Sequence, residues 1–186
     1  MLNKGFFIIL SSPSGCGKTT VYKKLLEIMP ELRYSVSTTT RAPRQGEIEG
    51  KDYFFVSKKE FIKMIKNGLF LEWQKVYGKY YGTRKDIVEK IFSENKLCIM
   101  DVDVKGGIRL KKLFPDSLTF FLLPPSFKIL RKRLENRGTD SKKEIEKRFK
   151  SAVKELKYCV EYDYIIVNDD LDEVVNKIKK IIQSEV

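Results

Sequence analysis

The 186-residue chain contains no histidine. That excludes imidazole as a general acid or base and as a metal ligand. Its three cysteines, Cys16, Cys98 and Cys159, are odd in number and widely spaced. They suggest neither a disulfide framework nor a zinc site. No apolar run approaches the roughly 20 residues that cross a bilayer. The run Phe6–Leu10 is too short for the apolar core of a secretory signal. There is no internal repeat, no low-complexity tract and no linker rich in Pro, Gly or Ser. With 42% hydrophobic and 33% charged residues, the chain reads as one soluble, cytoplasmic globular domain carrying small inserted lobes.

Positive charge is abundant instead, at a net +12. Residues 126–158 hold twelve Lys/Arg against five Asp/Glu, a net +7. Such a balance invites a nucleic-acid reading. No recognisable nucleic-acid motif accompanies it, and a solvated Lys-rich surface accounts for most of these side chains.

The most informative stretch is Ser12-Pro13-Ser14-Gly15-Cys16-Gly17-Lys18-Thr19. It follows the apolar run Phe6–Leu10 and precedes Val21, Leu25 and Ile28 at helical spacing. The order strand, tight loop, helix, with Gly-Lys-Thr at the helix start, is that of a phosphate-binding loop of nucleoside triphosphate enzymes. Small residues let backbone N–H groups curl around an anionic phosphate, and the helix N-terminus adds donors and a positive dipole end. Lys18 is expected on the β- and γ-phosphates, and the Thr19 hydroxyl on Mg²⁺. Ser12 stands where the motif usually has Gly; a positive φ there would cost Ser on the order of 1 kcal/mol. Cys16 has two readings: a thiolate favoured by Lys18 and the helix N-terminus, or a small loop residue. Transfer between phosphates is compatible with a chain that has no histidine, because the acceptor oxygen is already ionised.

The elements alternate. Strands are expected at 6–11, 33–37, 97–101, 118–123 and 164–167, and helices at 18–29, 85–94, 104–113, 126–136, 141–158 and from 171 onward. Several strands are short continuous apolar runs, as in parallel strands covered on both faces. The fold class is therefore α/β, a three-layer arrangement around a parallel sheet. Residues 37–84 break the alternation and read as an inserted lobe. That lobe carries the aromatic strand Tyr53–Val56, the capping box Ser57-x-x-Glu60 opening a helix, and a strand over Leu69–Tyr77. A second capping box, Ser141-x-x-Glu144, opens the long helix to about 158.

Two further clusters carry chemistry. The strand Leu97–Met100 ends at Asp101, a carboxylate placed to hold Mg²⁺ directly or through water beside the phosphate loop. The segment Ser35–Tyr53 gathers hydroxyls, Arg41, Arg44 three residues on, the carboxylate Glu47 and Tyr53. Two arginines can grip a phosphate bidentately. A second phosphate grip beside a nucleotide loop points to a phosphorylated acceptor.

The chain resembles the guanylate kinases nearly end to end. The match runs from the Ser-Pro-Ser-Gly-x-Gly-Lys-Thr loop through Ser37–Arg41, Pro43-Arg44, Gly46-Glu47, Gly50–Tyr53, Tyr81–Thr83, Asp101–Asp103 and Arg137–Thr139 to Ile166–Asp170. The resemblance implies transfer of the ATP γ-phosphoryl group to GMP, giving ADP and GDP, with Mg²⁺. It implies a P-loop core (1–34, 85–125, 159–186), a GMP-binding lobe (35–84) and a lid (126–158). Ser14, Gly15, Cys16, Gly17, Lys18, Thr19, Thr20, Arg137, Asn168 and Asp169 would bind ATP. Asn168-Asp169 is equally sensible as a helix cap.

Arg41, Arg44, Tyr53 and Tyr81, with Glu47, would hold the GMP phosphate by the same resemblance. Glu72, Asp103, Ser37 and Thr83 would read the guanine. Guanine offers N–H donors that carboxylates accept, whereas adenine would strand a buried carboxylate, a loss worth about 10⁴-fold or more. Lys18, Arg41, Arg137 and Arg148 are implied in catalysis, with Arg133 beside the lid arginines. Lid closure would exclude water. The implied partners are ATP and GMP, with no specific nucleic acid and no membrane, in a monomer or homodimer. Three other classes stay open at this point: a P-loop kinase for another phosphorylated acceptor such as a ribose bisphosphate, a non-catalytic peptide-binding scaffold domain, and a nucleic-acid binder.

Overall fold

All five residues of β1 (Phe7–Ser11) are buried, although side chains alternate faces along a strand. Both faces of this strand are therefore covered, as the continuous apolar run predicts. The same holds for most of β7 (Leu97–Val102) and β8 (Leu118–Leu123). The structure, a computed structural model, describes residues 5–136 and 141–186. A five-stranded sheet runs in the order β2-β7-β1-β8-β9, with β2 at Leu32–Tyr34 and β9 at Tyr164–Val167. Its registered pairs are parallel: Leu32 faces Leu97, Ile8 faces Leu118, and Phe120 faces Tyr164. Helices α1 (Lys18–Ile28), α3 (Lys85–Ser93), α4 (Val104–Leu113), α5 (Phe127–Glu135), α6 (Lys142–Glu155) and α7 (Leu171–Glu185) alternate with the strands. The architecture is α/β. In α7, Val174, Val175, Ile178 and Ile182 are buried, the apolar stripe that the sequence predicts.

The chain divides into two compact units, Met1–Phe7 with Glu31–Met100, and Ile8–Pro30 with Asp101–Val186. The first contains a four-stranded sheet in the order β4-β3-β6-β5. These strands are β3 (Thr38–Thr39), β4 (Phe54–Phe55), β5 (Phe70–Val76) and β6 (Lys79–Arg84). Between β4 and β5 lies α2 (Lys58–Lys66), opened by the predicted capping box: Glu60 N–H donates to Ser57 Oγ and Ser57 N–H donates to Glu60 Oε2 at 2.8 Å. The box at Ser141 and Glu144 forms likewise at the start of α6.

β3 and β6 escape the sequence reading. β6 reads Lys-Tyr-Tyr-Gly-Thr-Arg, which has no apolar alternation. Its partner β5 meets it through the two-residue turn Tyr77-Gly78, both at positive φ (47° and 82°), the twist that tight hairpins favour. The long helix expected to 158 ends at Glu155 and tightens into a 3₁₀ turn over Leu156–Glu161. Leu156, Cys159 and Tyr162 recur at the three-residue period of that winding and pack in one cluster with Val104 and Phe121. Among the described residues, no helix is long and apolar enough to cross a membrane.

Candidate active site

The loop after β1 turns into α1 at Gly17, whose φ of 86° is left-handed; Gly15 has a φ of 95°. Gly17 has a second constraint, since a Cβ there would lie 2.5 Å from Asn168 Nδ2. α1 starts without a side-chain cap, so its first-turn N–H groups are available to an anion. Ser12 carries no strain: the described non-glycine residues at positive φ are Tyr77 and Asn95. Cys16 is fully buried. Burial pushes its thiol up to about 11, outweighing the pull of Lys18 and Arg133. That removes the reactive-thiolate reading and leaves a packed loop residue. Cys98 is likewise buried, and burial raises its thiol.

Lys18 Nζ lies 2.9 Å from Asp101 Oδ1 and donates to the Val102 carbonyl at 2.8 Å. β7 continues one residue past Asp101, to Val102, so the carboxylate projects from an ordered strand end beside the loop. Thr19 and Thr20 stand exposed in the first turn of α1, and Ser14 is half-buried. The Thr19 hydroxyl and the Asp101 carboxylate are hard oxygen donors of the kind Mg²⁺ takes, one or two from protein with the rest from water and phosphate. Among the described residues there is no cluster of three or more His, Cys, Asp or Glu that would build an all-protein cage. The residues fit a cation held jointly with a bound phosphate.

A cavity of about 320 Å³ opens on this loop, lined by Gly15, Gly17, Thr20, Arg133, Asn168, Asp169 and Leu171. Asn168 is buried and its Nδ2 donates to the Cys16 carbonyl at 2.6 Å, which locks the loop's shape. The cap of α7 is neither Asn168 nor Asp169 but Asp170, which accepts from Glu173 N–H at 2.9 Å. Arg133 donates through Nη2 to the Asn168 carbonyl at 3.1 Å. Its Nη1 is buried with no hydrogen-bond partner among the described residues.

In the other unit, Arg41 spreads its fork over Glu47, Nη1 to Oε2 at 2.9 Å and Nη2 to Oε1 at 2.8 Å. Arg44 N–H donates to the same carboxylate at 2.7 Å. Arg41 N–H donates to Thr39 Oγ1, which in turn donates to the Tyr80 carbonyl, rooting this loop on β3 and β6. The guanidinium sits 5.1 Å from the Tyr53 ring centre, and Tyr53 meets Tyr81 edge-on at 6.2 Å. Arg41, Glu47, Tyr53 and Tyr81 thus form one cluster, with Arg44 at its exposed edge. Burial pushes the Glu47 carboxyl up, but hydrogen bonds from Arg41 and Arg44 hold it below the usual carboxylate range.

The same sheet builds a buried polar pair. Phe70 faces Arg84, so an unbroken ladder would set Glu72 opposite Gly82. A register shift between Phe70 and Glu72 sets Glu72 opposite Thr83 instead. Thr83 Oγ1 donates to Glu72 Oε1 at 2.9 Å, with both residues buried. Ser37, just before β3, is also buried. Asp103 belongs to the second unit, where it caps α4 by accepting from Gly106 N–H at 2.9 Å.

Arg137 lies outside the described residues; Arg148 is half-buried on α6. Sequence reading missed Glu155, at the end of α6. Burial raises its carboxyl, Asp103 adds to the rise, and Ser151, Lys18 and Lys105 oppose it. It also missed Ser11 and Tyr162, whose hydroxyls hold the carbonyls around Asp103. An isolated Glu in a Lys-rich helix carries no local signal of burial. Ser11, ending an apolar strand that is wholly buried, is the one of these with a legible sign.

The guanylate kinase family profile matches residues 4–185. A guanylate kinase of Caldanaerobacter subterraneus subsp. tengcongensis is 48% identical over 98% of this chain and 88% of its own length. One from Rickettsia felis is 46% identical over 98% and 95%. The crystal structure of guanylate kinase from Anaplasma phagocytophilum superposes with a TM-score of 0.82 at 35% identity, covering 97% of this chain and 86% of that one. With a nucleotide-type phosphate loop, a carboxylate beside it and whole-chain similarity of this depth, the chain belongs to the guanylate kinase family.

Proposed function

We propose that the chain works as a guanylate kinase with the following division of labour. ATP binds at the loop Ser14–Thr20, its phosphates on the first-turn N–H groups and Lys18, its base toward the cavity at Arg133, Asn168 and Asp169. GMP binds through its phosphate to Arg41, Arg44, Tyr53 and Tyr81, with Glu47 orienting the arginines, and through its base to Ser37, Glu72, Thr83 and Asp103. Residues 1–34, 85–125 and 159–186 serve as the core, 35–84 as the GMP lobe and 126–158 as the lid, from which Arg137 and Arg148 offset charge on the transferring phosphoryl. Positive groups aimed at that charge stabilise the transition state more than the ground state. Lys18 exchanges Asp101 for phosphate when ATP arrives. Thr19 and Asp101 would hold Mg²⁺, which neutralises the β- and γ-oxygens when bound. The working compartment in this reading is the cytoplasm, and the chain acts on free nucleotides as a monomer or homodimer.

The observation that carries the reading is the buried Glu72–Thr83 pair. Thr83 holds this carboxylate in a buried site, and guanine's N1–H and 2-amino group match a carboxylate acceptor where adenine presents its N1 lone pair. The test is ADP formation from Mg-ATP with GMP, AMP, UMP, CMP or no acceptor. Turnover with GMP alone is expected. Turnover with another acceptor in preference to GMP would sink the reading. Glu72→Gln should raise KM for GMP by about 10²-fold, the scale of a lost charged hydrogen bond, with KM for ATP little changed. An equal effect on both nucleotides would remove Glu72 from the guanine site.

A further inference from the structure

Two buried hydroxyls outside the set of residues assigned to either nucleotide converge on the segment that carries Asp103. Ser11 ends β1 and is fully buried; its Oγ donates to the Val102 carbonyl at 3.2 Å and stands 3.4 Å from the Asp103 carbonyl. Tyr162 follows the 3₁₀ turn and is also buried; its Oη donates to the Val104 carbonyl at 2.7 Å. The carbonyls just before and just after that of the aspartate are therefore held by hydroxyls from two distant parts of the chain. The Tyr162 ring is itself set by edge packing on Phe121, 5.0 Å between centres.

The arrangement depends on one glycine. A Cβ on Gly107 would lie 2.3 Å from Tyr162 Oη and 2.5 Å from Ser11 Oγ. Gly107 N–H also donates to the Asp103 carbonyl at 2.9 Å. The first turn of α4 thus carries glycine where the two hydroxyls pass beneath it. Capping α4 requires only the Asp103 carboxylate and Gly106 N–H, so the hydroxyls add something a cap does not need. Ser11 fixes the peptide plane before Asp103 and Tyr162 the one after Val104, bracketing the peptide that Gly107 N–H holds, and together they set the direction of the Asp103 carboxylate.

We infer that Ser11 and Tyr162, with Gly107 making room, form a positioning clasp that aims Asp103 at guanine and so sets acceptor specificity. The inference rests on the reading of Asp103 given above. A misaim of about 1 Å can cost on the order of 10²-fold, and a binding group must be held within about 0.5 Å by its supporting residues.

Tyr162→Phe keeps the ring and removes the hydroxyl. Its KM for GMP should rise about tenfold, the scale of one buried hydrogen bond, while kcat and KM for ATP stay within about threefold. The preference in kcat/KM for GMP over inosine monophosphate, which lacks the 2-amino group, should fall by a similar factor. A merely structural loss would move both nucleotides together and leave that preference unchanged, and either result overturns the clasp. Gly107→Ala should impair GMP use more severely and recover in part when combined with both Tyr162→Phe and Ser11→Ala, which together remove the two oxygens the methyl would meet; no recovery also counts against the clasp. Asp103→Asn, assayed in parallel, separates the two levels. If it leaves GMP use intact, the assignment of Asp103 to guanine fails and the clasp with it. If it impairs GMP use while Tyr162→Phe does not, the clasp alone fails.

Discussion

Arg41 is held by Glu47 through both arms of its fork and flanked by the Tyr53 ring before any phosphate arrives. A guanidinium already oriented loses less freedom on binding a phosphate. Glu47→Ala should therefore raise KM for GMP by about tenfold although it removes a negative charge from an anion site. A lowered KM would show that Glu47 only competes with phosphate. The ion pair is largely buried, yet close enough to solvent that its contribution to stability is about 1 kcal/mol or less. Because the folded carboxyl is held low, that stability is present above the ordinary carboxylate range and is lost as pH falls through the lowered value. The deficit of Glu47→Ala should shrink toward acid in urea titrations at pH 7 and pH 3. Lys18→Ala should cut turnover about 10³-fold with GMP binding preserved; full activity would refute its role. These side chains were legible in the sequence because a phosphate loop and an arginine pair are local patterns. Glu155 was not, because its burial is imposed by elements remote in sequence.

Capping boxes and apolar runs predicted most elements, since both are encoded within a few residues. β6 and the 3₁₀ turn were hidden for the opposite reason: β6 is held by its partners β3 and β5, and the turn by packing on Val104 and Phe121. The register shift that faces Glu72 with Thr83 is equally invisible in a one-dimensional reading. At the start of β9, Asp163 Oδ2 accepts from Thr119 N–H at 2.9 Å, Thr119 Oγ1 at 2.8 Å and Lys111 Nζ at 2.9 Å, joining β8, α4 and β9. Burial pushes this carboxyl up, but the hydrogen bonds from Lys111 and Thr119 win and hold it low. Asp163→Ala leaves those donors unmatched and should cost about 2 kcal/mol, lowering the thermal midpoint by about 4–8 °C. An unchanged midpoint would mean that water replaces the carboxylate at no cost.

Across the whole chain, ligand binding and stability are linked. ATP at a hundred times its Kd should stabilise the fold by about 2.7 kcal/mol, a rise of about 5–10 °C in thermal midpoint, and GMP should act likewise through its own site. A midpoint indifferent to ATP would contradict the assignment of the loop. Strand, loop and helix order, the phosphate loop with Lys18 and Thr19, Asp101 at a strand end and the arginine pair were all present in the linear order of residues, because each depends on neighbours a few positions away. Long-range packing settled the rest. It paired Lys18 with Asp101 across 83 positions of sequence, turned Cys16 from a candidate thiolate into a buried thiol, gave the α7 cap to Asp170 while Asn168 holds the loop, and set Ser11 and Tyr162 around Asp103. Burial and hydrogen-bond partnership belong to groups that meet only when the chain folds, so no local pattern encodes them.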